Sequence, residues 1–131
     1  AFHNNAYTAT ANVAFLDDYI KKLYKAKDAI QSGMAYIHLF CPCVTGWRFG
    51  TEKTIEVAQK ATDTNYYPLW EAEYGKFNMT YEPKKVLPIK DYLSMLGKYR
   101  HLKDPEIEEI QNHVDTRYNT IKALTQKDQA A

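Results

Sequence analysis

Two β-prone runs, AYTATA at residues 6–11 and MAYIHLFC at 34–41, flank a stretch of helical periodicity, and this arrangement constrains the chain most. The second run is apolar without alternation, the pattern of a strand covered on both faces, as in a parallel sheet. The first is expected to be buried on both faces too. Between them lies FLDDYIKKLYKAKDAIQSG, where Ile20, Leu23 and Ile30 recur at helical spacing with Ala26 among them. That stripe is predicted to face the core, leaving Lys21, Lys22, Lys25 and Lys27 as solvated surface. Asp17 and Asp18 fall in the first turn, where the helix dipole favours negative charge, and Gly33 suits the helix end. Strand, helix and strand in succession predict a βαβ unit with a right-handed crossover.

Beyond residue 50 the pattern changes. TEKTIEVAQKATD (51–63) predicts a second helix with Ile55, Ala58 and Ala61 on one side. YYPLWEAEYGKFNMTYEP (66–83) carries two β-prone runs around Gly75 and Lys76, a hairpin signature. Pro88 opens a third helix with Ile89, Tyr92, Leu93 and Leu96 on its apolar face. Asp104 caps a fourth, Pro105 takes its first position, and Ile107, Ile110, Val114, Tyr118 and Ile121 form its stripe. The tail, TQKDQAA (125–131), is expected to fray. The fold class is therefore α/β. The first half has too few strands for a doubly wound sheet, so the chain is expected to complete its sheet with another segment or to be marginally stable alone. It opens on Ala1, as expected of a piece of a longer or processed polypeptide.

Composition adds exclusions. Hydrophobic residues at 45% and charged residues at 25% are ordinary for a globular chain. A formal net charge of +1 gives no overall bias toward nucleic acid or membrane, and no apolar run is long enough to span a bilayer. Neither is expected as a partner. Two cysteines are too few for a disulfide scaffold, and a Cys-x-Cys spacing strains a bridge, so a reducing, cytoplasmic setting is expected.

Those cysteines, Cys41 and Cys43, stand where the second strand should end. Ligands of open parallel sheets bind beyond the carboxyl ends of the strands. Pro42 forces extended backbone, and Gly46 and Gly50 permit turns around Trp47. Cys41 is expected to be a small buried hydrophobe closing the strand. A self-contained zinc site lacks four ligands at a usual spacing, even with His38 nearby, and His38 reads as a hydrogen-bonded core residue. A redox pair would need Cys-x-x-Cys at a helix start. One cysteine serving as a single ligand of a shared iron–sulfur cluster stays open on spacing alone. Glu71 and Glu73 share one side of a strand and read as an exposed strand face more readily than as paired acid–base carboxylates.

The segment YIHLFCPCVTGWRF, with its Pro-Cys-x-Thr-Gly-Trp core, resembles the β subunits of 2-oxoacid:ferredoxin oxidoreductases, most nearly the pyruvate enzymes. YTATANVAFLDDYIKKLYKAKD resembles the family's preceding strand and helix, and EKTIEVAQKATDTNYYPLWEAEYGKF the following helix and Pro-Leu-x-Glu strand. PIKDYLSMLGKYRHL is similar to the C-terminal helix that ends in Arg/Lys-His-Leu. The resemblance covers nearly the whole chain, matching the C-terminal portion of the subunit. It implies the C-terminal part of a thiamine diphosphate-binding fold, with 1–50 as its βαβ part and 51–131 as helix, hairpin and C-terminal helices. It implies a share in the CoA-dependent oxidative decarboxylation of a 2-oxoacid, pyruvate foremost, with electrons passed through iron–sulfur clusters to ferredoxin.

In that family a 4Fe-4S cluster takes three cysteines from the N-terminal part and a fourth from the Pro-Cys motif. The motif places that fourth ligand at Cys43, while family members commonly carry a small residue at the position of Cys41. The family's Gly-Asp-Gly motif, which holds magnesium and thiamine diphosphate, does not occur in this sequence, nor do the three N-terminal cysteines. The chain is therefore expected to supply at most one cluster ligand and to be inactive alone. Its expected partners are the rest of the β subunit, the other subunits and ferredoxin, with coenzyme A and the 2-oxoacid as substrates. Two other readings are a non-catalytic α/β interaction module and a stand-alone thiol or metal-binding domain.

Overall fold

A computed structural model describes residues 6–129, with side chains through Thr125. Its centre is a mixed four-stranded sheet of order β2-β1-β3-β4. Strand β1 (Ala6–Asn12) is joined by helix α1 (Leu16–Ala29) to a parallel β2 (Met34–Phe40), so the expected βαβ unit is present. A helical turn α2 (Val44–Trp47) and helix α3 (Thr54–Asp63) lead to the hairpin β3 (Leu69–Glu73) and β4 (Lys76–Tyr81). Helix α4 (Ile89–Leu93), a 3-10 turn at Gly97–Tyr99 and helix α5 (Asp104–Gln129) complete the described chain. Helix α5 runs through Gln129, past the start of the expected frayed tail, whose last two residues lie outside the described part.

The hairpin completes the sheet. β3 lies antiparallel to β1, pairing Tyr7 with Glu73 and Ala9 with Glu71. Tyr74 and Gly75 both take positive φ, the geometry that matches a tight hairpin to strand twist. With β2 on one side and β3 on the other, β1 is buried along all seven residues, and its alanines let elements close over both faces.

The two faces differ in chemistry. On one, the apolar core gathers Phe40, Val57, Ala58, Ala61, Ile89, Tyr92, Leu93, Leu96 and Val114. Asn12 pins the end of β1 to α3: its amide nitrogen donates to Ala58 O at 2.7 Å and to Thr62 Oγ1 at 2.9 Å. Helix α5 covers this side through Val114 and Tyr118, two members of the expected stripe. In α3 the buried set is Val57, Ala58, Ala61 and Thr62, whereas Ile55 is exposed, so the expected apolar side is turned by part of a helical turn.

The other face is polar, and there α1 sits the opposite way from its sequence expectation. Lys22 is buried, while Leu16, Ile20, Leu23, Tyr24 and Ile30 are 45–67% exposed. The reason is the surface offered to the helix. Lys22 Nζ donates to Thr10 O at 2.8 Å, Asp18 Oδ2 at 2.6 Å and Thr80 Oγ1 at 2.7 Å. Lys25 Nζ bridges Glu71 and Glu73 at 2.7 and 2.6 Å. A sheet face carrying carboxylates selects the cationic side of an amphipathic helix, because an unpaired buried carboxylate is costly. Strand β2 departs too: it is an edge strand with Met34, Tyr36 and His38 exposed, not a strand covered on both faces.

Candidate functional site: the cysteine turn

The parallel strands β1 and β2 end together at Asn12 and Phe40, and the segment 41–50 leaves from that end. Proline 42 is buried and anchors the segment, while Cys41 and Cys43 on either side of it are exposed, free thiols. This corrects the expectation for Cys41: β2 stops at Phe40, so Cys41 lies outside the strand and is not a buried hydrophobe. The two cysteines differ in their bonding instead. Cys43 has extended backbone, and its Sγ accepts the Gly46 N–H at 3.4 Å. Its carbonyl accepts the Trp47 N–H at 2.9 Å, which closes the turn. A Cβ at position 46 would stand 3.2 Å from Cys43 Sγ, so a residue without a side chain suits this approach.

Behind the sulfur, aromatic rings hold the turn to the core. Trp47 packs on Phe40 with centroids 5.6 Å apart and on Phe49 at 6.4 Å. Phe40 meets Tyr67 at 4.8 Å, and Tyr67 Oη donates to His38 O at 2.6 Å. His38 is exposed at the β2 edge and meets Tyr67 edge-on, so it is not the core histidine that was expected.

An exposed thiol that accepts a backbone N–H has the features of a single cluster ligand. A thiolate is the binding form, and hydrogen bonds to sulfur stabilise and tune it. Among the described residues no group of three or more His, Cys, Asp or Glu side chains is arranged to hold a metal. Cys43, exposed and with its sulfur accepting one amide, has the chemistry to offer a single thiolate.

A second polar cluster escaped the sequence reading. A cleft of about 690 Å³ between α1 and the hairpin is lined by Lys22, Lys25, Asp18, Glu71, Asn78 and Thr80, among others. Glu71, expected on an exposed strand face, is buried and accepts Tyr7 Oη at 3.0 Å besides Lys25. Burial alone would raise its pKa, but hydrogen bonds from Lys25 and Tyr7 outweigh that and hold the carboxyl below its ordinary value. Burial lowers the pKa of Lys22, with Asp18 opposing. Lys25 pairs with Glu71 and Glu73, and Lys22 with Asp18, Thr10 O and Thr80, so this cluster fastens α1 to the sheet. The only sequence signal for it was the alternation of Glu71 and Glu73 opposite a lysine-rich helix.

Comparison with known proteins decides the family. Across 117 residues, 89% of this chain, the sequence is 41% identical to pyruvate synthase subunit PorB of Methanocaldococcus jannaschii. It is 40% identical over 126 residues to ketoisovalerate oxidoreductase subunit VorB of Pyrococcus furiosus. The chain belongs to the family of 2-oxoacid:ferredoxin oxidoreductase β subunits. It also matches the β subunit of NADH-dependent phenylglyoxylate dehydrogenase of Aromatoleum evansii at 38% identity over 125 residues. No family model matches the chain. The chain spans 39% of the PorB relative's length, 40% of VorB and 28% of the phenylglyoxylate subunit. Among the described residues, no helix is long and apolar enough to cross a membrane.

Proposed function

We propose that this chain is the C-terminal part of a β subunit that acts, within a larger complex, in the CoA-dependent oxidative decarboxylation of a 2-oxoacid, with pyruvate the first substrate to test. The observation that carries the proposal is identity of about 40% maintained over nearly the whole chain against subunits of pyruvate and ketoisovalerate enzymes. The 4Fe-4S cluster, when bound, supplies a one-electron path toward ferredoxin, and Cys43 is the residue of this chain that would hold it. Thiamine diphosphate and magnesium are bound by parts of the subunit outside this sequence, so the chain alone does not turn over.

The orientation of α1 supports a place inside a larger subunit. Its stripe of Leu16, Ile20, Leu23 and Ile30 is exposed in this chain. Contiguous apolar surface of this kind marks an interface. The relatives are more than twice as long as this chain, and we assign the portion they carry outside the match as the cover for this stripe and for the open edge of β2.

The test is reconstitution. The chain, joined to the remainder of its subunit and to the partner subunits, is expected to form acyl-CoA and reduce ferredoxin when given thiamine diphosphate, magnesium, coenzyme A and a 2-oxoacid. A panel of pyruvate, 2-oxoisovalerate and phenylglyoxylate separates the three named relatives' chemistries. Turnover by the 131-residue chain alone, or none by the assembled complex with any 2-oxoacid, would overturn the proposal.

A further inference from the structure

The turn that carries Cys43 is held from a distant part of the chain. Arg48, its last residue, has a left-handed backbone with φ 58°, a conformation costly for a residue with a Cβ. Its carbonyl is fixed there by the Gly97 N–H, which donates at 3.0 Å. The fit is close. A Cβ at Gly97 would stand 2.6 Å from Arg48 O and 2.8 Å from Arg48 Cβ, separations that non-bonded atoms do not adopt. The next residue, Lys98, places its ammonium 4.5 Å from the Trp47 ring centroid and 4.7 Å from that of Tyr99, within cation–π range of both. The 3-10 turn at Gly97–Tyr99 thus holds the backbone of the cysteine turn at Arg48 and its aromatic anchor at Trp47.

We infer that this 3-10 turn is a latch that positions Cys43, with Gly97 and Lys98 as positioning residues. The inference rests on the reading of Cys43 as a cluster ligand. The latch acts through Arg48 and Trp47 on the Gly46 N–H, which meets the Cys43 sulfur. Strained backbone persists only where its surroundings over-determine it. Loosening the latch therefore frees the turn, and the amide-to-sulfur bond with it. Hydrogen bonds to a cluster's sulfurs set its electronic properties, so the effect extends to the cluster's spectrum as well as to the stability of the fold.

Two sets of measurements test this. In the 131-residue chain, Gly97→Ala is expected to speed hydrogen exchange at the Trp47, Arg48 and Phe49 amides by roughly tenfold, with the β1 amides unchanged. In the assembled complex, Gly97→Ala is expected to shift or broaden the electron paramagnetic resonance signal of the nearby reduced cluster. Cys43→Ala, measured beside it, is expected to remove that signal. Unchanged exchange and an unchanged spectrum in Gly97→Ala, with the signal lost in Cys43→Ala, would overturn the latch and leave the ligand reading standing. A signal retained in Cys43→Ala would overturn the ligand reading, and the exchange experiment would still decide the latch. If Gly97→Ala does not fold, Lys98→Ala, which introduces no clash, replaces it. Faster exchange at Trp47 and a shifted spectrum support the latch, and no change in either refutes it.

Discussion

Replacing Lys22 by Ala is the most informative single change to the fold, because the amphipathic pattern of α1 and the structure make opposite forecasts. The pattern places Lys22 on a solvated surface, where substitutions typically stay within about 0.5 kcal/mol. The structure buries it, with Nζ bound to Thr10 O, Asp18 Oδ2 and Thr80 Oγ1. Removing the ammonium strands the buried Thr10 carbonyl bond, at about 1–3 kcal/mol. Asp18, with 17% of its side-chain surface in water, also loses its ion-pair partner, which adds to the cost. The lost stem contacts bring the expected destabilisation to about 2–4 kcal/mol. Lys22→Met keeps the stem and relieves the cost of burying charge, so it is expected to lose about 1–2 kcal/mol. Ile20→Ala, at a residue 47% exposed, is expected to stay within about 0.5 kcal/mol in the monomer, at concentrations below those of self-association. Urea unfolding followed by far-UV circular dichroism measures all three. An Ile20→Ala loss larger than that of Lys22→Ala would refute the orientation of α1.

Other expectations concern the core, the sheet and the exposed stripe. Leu96 is fully buried, so Leu96→Ala is expected to cost about 2–5 kcal/mol in the same assay. Among the described residues nothing hydrogen-bonds the buried Thr8 hydroxyl, so Thr8→Val is expected to be neutral or stabilising by up to about 1 kcal/mol. Glu71 titrates below its ordinary range in the folded chain, so its contribution is present above that range and is lost as pH falls through the folded pKa. Urea midpoints taken from neutral to acid pH are expected to fall, and Glu71→Gln to flatten the fall. The exposed stripe of α1 is expected to make the isolated chain self-associate, and Leu23→Glu to shift sedimentation toward monomer; unchanged sedimentation would argue against that stripe as the contact.

Local elements were legible where one short-range rule dominated. The βαβ unit followed from two β-prone runs around a helical period. The hairpin followed from the Gly75 turn, and α5 from Asp104 and Pro105 ahead of an apolar stripe. What the sequence concealed was non-local. Periodicity shows which side of α1 is apolar but not what the sheet presents to it, and that depended on β3 and β4 bringing Glu71, Glu73 and Thr80 beneath the helix. The pairing of β3 with β1 joins residues more than sixty positions apart, with no local signature. In the candidate site, resemblance singled out Cys43, but burial did not separate it from Cys41, since both are exposed. The Gly46 N–H does. The contact of Gly97 with Arg48 could not be read from either segment alone.

Iron content and electron paramagnetic resonance of the assembled complex carrying Cys43→Ala or Cys41→Ala decide whether this chain gives one thiolate to a shared cluster. Cys41→Ala is expected to keep its iron and its reduced-cluster signal, while Cys43→Ala is expected to lose iron from one cluster and to reduce ferredoxin slowly. Loss of the cluster in Cys41→Ala, with its retention in Cys43→Ala, would overturn the assignment of Cys43.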